Sequence, residues 1–85
     1  MNVIVQYVSP FYDFARRKLH LPWKVVNRYL DAGAVASIEG KTVTLRASGA
    51  EPLFAHVPVG RGGHAARWVN EFNARSARFD GEAKL

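Results

Sequence analysis

Three residues punctuate the middle of this chain and constrain its folding more than any composition figure does. Pro22, Gly33 and Gly40 divide residues 21–46, LPWKVVNRYLDAGAVASIEGKTVTLR, into a short helix and a tight hairpin. Proline suits the first turn of a helix, where its missing N–H costs nothing. Trp23, Val26, Tyr29 and Leu30 then recur at helical spacing, with Lys24, Asn27, Arg28 and Asp31 on the opposite face. Gly33 supplies the positive φ that a helix C-terminus wants. Val35, Ile38, Val43 and Leu45 build two strands around Glu39-Gly40, a turn of the X-Gly kind.

The flanks are read the same way. Asn2–Val8 alternates and is rich in Val, Ile and Tyr, which predicts a strand. Ser9-Pro10 is a helix start, and Phe11, Phe14, Ala15 and Leu19 give a helical stripe over 10–19. Arg16, Arg17 and Lys18 lie mostly off that stripe, and His20-Leu21 is a very short break. Residues 47–52 form a loop, and Leu53–Val59 is a further strand that Pro58 confines to an edge or a strand end. After Gly60-Arg61-Gly62-Gly63, the residues Ala65, Trp68, Val69, Phe72, Ser76 and Phe79 mark one face of a helix of about 15 residues. Arg67, Glu71 and Arg75 follow one another at i, i+4 on a solvated face. Trp23, Trp68, Phe11, Phe14, Phe72 and Phe79 are all expected in the core.

The expected fold is one α+β domain over residues 1–80, with 81–85 as a frayed tail. Its order is strand–helix–helix–strand–strand–strand–helix, an antiparallel sheet of three or four strands with helices packed on one side. Eighty-five residues bury only about 60–65% of their unfolded surface, so one core must supply the stability. A content of 48% hydrophobic and 12% aromatic residues allows it.

The chain has no cysteine, which excludes a disulfide scaffold and a thiolate metal site and fits a cytoplasmic protein. The N-terminus lacks a basic start followed by an apolar run, so no signal peptide is expected. No stretch approaches the roughly 20 apolar residues of a membrane helix. His20, His56 and His64 have no i, i+3 or i, i+4 partner, and none of Ser9, Ser37, Ser48 and Ser76 stands in a nucleophile turn. No enzyme activity, metal or cofactor is expected.

The net charge of +5 favours nucleic acid, an anionic membrane or an acidic protein. Its positive part sits on the expected helices. Arg16, Arg17 and Lys18, with His20, Lys24 and Arg28, span two successive helices with little acid between them, which suits phosphate contacts. Arg61, Gly62 and Gly63 precede a helix and form a candidate anion cradle, although a plain flexible turn is the more ordinary reading of such a segment.

From residue 14 to 46 the pattern resembles winged helix-turn-helix DNA-binding domains of the excisionase and MerR-like kind. Phe14-Ala15-Arg16-Arg17 matches a first helix, Val25-Val26 with Tyr29-Leu30 a second, and Ala34–Leu45 a wing. The resemblance implies that the second helix enters the major groove with Lys24, Asn27 and Arg28 outward. Lys41 or Arg46 on the wing would touch backbone or minor groove. Asn27 and Arg28 would read base edges, and Arg16, Arg17 and Lys18 would grip phosphate. The expected function is a small basic protein that binds double-stranded DNA, a regulator or recombination accessory factor. A homodimer, if formed, would use the last helix. The alternative is a protein-interaction module of the phage or plasmid kind, docking on an acidic or nucleic-acid-binding partner through its charge or the Leu53–Val57 edge.

Overall fold

The computed structural model describes residues 9–83, with side chains through Ser76. The elements in chain order are α1 (Pro10–Arg17), α2 (Trp23–Asp31), β1 (Val35–Glu39), β2 (Thr42–Arg46), β3 (Leu53–His56) and α3 (Gly62–Ala83). The domain is α+β, but its order is helix–helix–strand–strand–strand–helix with a three-stranded sheet. That corrects the strand-first layout of up to four strands drawn from the sequence. The strand expected over Asn2–Val8 lies outside the described residues. α3 is 22 residues long, beyond the length its apolar spacing suggests.

Local chemistry explains the helix ends. The Ser9 hydroxyl accepts the Phe11 N–H at 3.3 Å and Pro10 opens α1. α2 begins after Pro22 with no side-chain cap and ends in a Schellman motif. There Gly33 N–H donates to Leu30 O and Ala34 N–H to Tyr29 O, with Gly33 at φ 71°. Between α1 and α2, His20 itself takes the left-handed conformation, φ 56°, at the position where a glycine is customary.

The sheet is antiparallel in the order β1-β2-β3. Ala36, Val43, Leu45 and Ala55 face inward under the helices and are buried with Phe11, Leu19, Leu21, Val26, Trp68 and Phe72. Trp68 stacks on Phe11 with centroids 5.1 Å apart, and its Nε1–H donates to Phe11 O at 2.8 Å. Trp23, expected in the core, is 52% exposed. As the first residue of α2 it stands one turn before Val26, at the end of the buried stripe, with the Lys24 Nζ 5.9 Å from its ring centroid.

α3 closes one edge of the sheet. Ala36 N–H donates to Asn73 Oδ1 at 2.7 Å and Asn73 Nδ2 donates to Ala36 O at 2.9 Å. Next to them Ser76 Oγ donates to Ala34 O at 2.7 Å. The outward backbone groups of Ala36, and the Ala34 carbonyl just before β1, are thereby satisfied by side chains of a helix.

The outer face of the sheet has one anomaly. Thr44 lies there, opposite Ser37 and Phe54 in register, yet it is 0% exposed. Arg46 helps cover it. Its guanidinium is 5.9 Å from the Phe54 ring centroid and 3.8 Å from the Glu39 carboxylate, which draws the side chain back along β2 across Thr44. Among the described residues the Thr44 hydroxyl has no hydrogen-bond partner. Burying it unpaired costs stability, so Thr44→Val is expected to stabilise by about 1 kcal/mol and raise Tm by roughly 4–8 °C. A thermal melt in which Tm falls would show that the hydroxyl is satisfied.

Candidate nucleic-acid interface

The fold sorts the basic residues into separate groups. Lys24 and Arg28 stand one turn apart on α2, both exposed, with Asp31 a further turn on. Asn27, between them in sequence, is half-buried, and its Oδ1 accepts the Tyr12 hydroxyl at 2.7 Å. That bond ties α1 to α2 and occupies the acceptor with which Asn27 would read a base. Arg16 and Arg17 are exposed on α1, but Arg17 Nε lies 3.0 Å from Asp13 Oδ1.

Lys18 turns to the other side of α1. With Pro10, Asp13 and Phe14 it lines an open groove whose far wall is Arg61 and His64 at the head of α3. The Phe14 and His64 rings stack across it at 6.1 Å and 24°. A neighbouring hollow is lined by Phe11, Phe14, His64, Arg67, Trp68 and Glu71. The first helical bond of α3 runs from Ala65 N–H to Arg61 O, so the N–H groups of Gly62, Gly63 and His64 lie ahead of the ladder. They form the positive end of a long helix. The Arg61-Gly62-Gly63 segment and Lys18, far apart in sequence, are thus neighbours. A methyl group built on Gly62 or Gly63 meets open space, so packing does not demand glycine at either.

The wing residues separate. Lys41 is exposed at the hairpin turn. Arg46 is at the other end of β2, engaged with Glu39 and Phe54. Sequence reasoning missed Tyr12 and the groove residues His64 and Arg67, because nothing local signals contacts that cross from α1 to another helix.

The acids are mostly engaged. Among the described residues the ion pairs are Asp13–Arg17, Glu39–Arg46 and Glu71–Arg75. Arg16, Lys18, Lys24, Arg28, Lys41, Arg61 and Arg67 belong to none of them. Among the described residues no group of three His, Asp or Glu could hold a metal ion, and no helix is long and apolar enough to cross a membrane.

No family model matches this chain. Comparison with curated proteins and with solved structures finds no match either.

Proposed function

We propose that this chain is a small cytoplasmic protein that binds double-stranded DNA through the phosphate backbone, as a regulator or recombination accessory factor, and does no catalysis. The observation that supports it best is the pattern of ion pairing. Asp13, Glu39 and Glu71 each neutralise one arginine, which leaves the exposed cations of α1, α2 and the head of α3 without carboxylate partners among the described residues. Arg16, Lys24 and Arg28 on the helix pair, and Lys18 with Arg61 in the groove, are the phosphate contacts. Lys41 at the hairpin turn is a further one. The engagement of Asn27 with Tyr12 occupies one of the two residues a helix-turn-helix reading would use to read bases, and that of Arg46 with Glu39 occupies one of its two wing contacts. Charge therefore carries this reading, and base readout is a minor part of it.

Fluorescence anisotropy with a labelled duplex tests it. Between about 50 and 200 mM salt, the log–log slope of affinity is expected near −5 if all six of these cations contact phosphate. Lys24→Ala with Arg28→Ala should reduce that slope by about two units and weaken all sequences alike. A wild-type chain that shows no affinity at low salt overturns the proposal. A folded double variant that binds as before removes α2 from the interface.

One observation favours the second reading, an interaction module: among the described residues the outer strand β3 is an edge, and Phe54 on it is 58% exposed. Salt-insensitive capture of a protein partner, without DNA retention, would decide for it.

A further inference from the structure

The two edges of the sheet are treated differently. On β1 the outward N–H and C=O of Ala36 are held by Asn73, whereas among the described residues nothing is bonded to the outward side of β3. The groups that β3 presents follow from its pairing with β2. Val57 N–H donates to Lys41 O at 2.7 Å, so residues 53, 55 and 57 turn their backbone groups toward β2. Phe54 and His56 turn theirs outward. Pro52 and Pro58 occupy the next outward positions and have no N–H to offer. The free edge therefore carries two N–H donors, framed symmetrically by two prolines.

The side chains share that symmetry. The segment Pro52-Leu53-Phe54-Ala55-His56-Val57-Pro58 reads nearly the same in both directions about Ala55: proline, aliphatic, aromatic, alanine, aromatic, aliphatic, proline. An antiparallel strand laid against itself is read in reverse. From this we infer that β3 is a homodimer edge, pairing with β3 of a second copy about a two-fold axis at Ala55.

In that register Phe54 lies opposite the partner's His56, and His56 opposite the partner's Phe54. Both pairs are hydrogen-bonded pairs of the ladder, which gives four backbone bonds, and the prolines end the ladder on either side. Aromatic residues directly opposite each other on one face are a stabilising cross-strand pair. Leu53 meets the partner's Val57 on the inner face, and Ala55 meets the partner's Ala55 with no bulk at the axis. Charge also selects a second copy. Each chain carries +5, but no Asp, Glu, Lys or Arg stands between Pro52 and Gly60, so two like-charged chains can approach here. An acidic partner would find no charge to recognise on this strip. The product is a closed, isologous dimer in which the six described strands form a continuous sheet, with a β1 whose Ala36 is held by α3 at each end.

This inference does not rest on the DNA reading, and its test contains no DNA. Sedimentation velocity over a wide concentration range should show the wild-type mass rising from monomer toward dimer. Phe54 and His56 are exposed, so substitutions there leave the core intact, which far-UV circular dichroism checks. The double variant F54K/H56K places like charges opposite each other at both pairs and should weaken dimerisation at least about tenfold. The variant F54K/H56E places opposite charges there and should restore it. A wild-type chain that stays monomeric throughout overturns the inference. So does equal dimerisation in all three proteins, which would place the interface elsewhere, or loss in both variants, which would exclude this register.

Discussion

Trp68→Ala is expected to cost about 3–5 kcal/mol, the largest effect of any single truncation considered for this domain. The indole is 3% exposed and lies parallel to the Phe11 ring at 5.1 Å and within 5.4 Å of Phe72. Alanine would empty that volume and also remove the Nε1–H bond to Phe11 O. A domain of this length has a total stability of roughly 4–13 kcal/mol, so the change removes a large part of it. Urea denaturation followed by circular dichroism measures the loss. Trp68→Phe keeps a ring against Phe11 and gives up the hydrogen bond, so its cost should fall well below that of alanine. Equal costs for the two would mean that the N–H bond, not the packing, holds the site. The functional consequence is positional: this contact fastens α1 to α3, and with it the juxtaposition of Lys18 with Arg61 and His64.

Asn73→Ala is the second large effect, at about 2–3 kcal/mol. One side chain satisfies both the N–H and the C=O of Ala36, at 2.7 and 2.9 Å. Alanine leaves two half-buried backbone groups without partners, and each such orphan costs about 1–3 kcal/mol, with the lower end applying where water can enter. Asn73→Asp keeps an acceptor for the N–H but sets a carboxylate against the Ala36 carbonyl, so it should not rescue. The same change uncovers the β1 edge, and light scattering on concentrated variant should rise relative to wild type. A cost below about half a kcal/mol would show that solvent substitutes freely for the amide.

The parts of this fold that were legible in the sequence are those decided by neighbours along the chain. Ser9-Pro10 begins α1, Gly33 ends α2, and Gly40 turns the hairpin, each through backbone conformations that particular residues favour. The stripe Trp68, Val69, Phe72 and Ser76 placed the inner face of α3. What escaped depends on contacts between distant segments. Asn73 carries no signal of its own in the sequence, although it stands four residues after Val69 and three before Ser76, on the buried side. Asn27 looked outward until Tyr12 of α1 met it. Trp23 had helical spacing for the core, but the core ends one turn later. The candidate interface was half legible: Lys24 and Arg28 follow from periodicity alone, whereas the meeting of Lys18 with Arg61 required the packing of α1 beside α3.

The clamp of Asn73 on Ala36 also sets a timetable for the newborn chain. It joins residues 37 apart, while α1 with α2, and β1 with β2, are joined by neighbours. During synthesis the hairpin leaves the ribosome before Asn73 and Ser76 do, so its β1 edge stands open until α3 follows it out. That interval is when the newborn chain is most open to pairing with another strand.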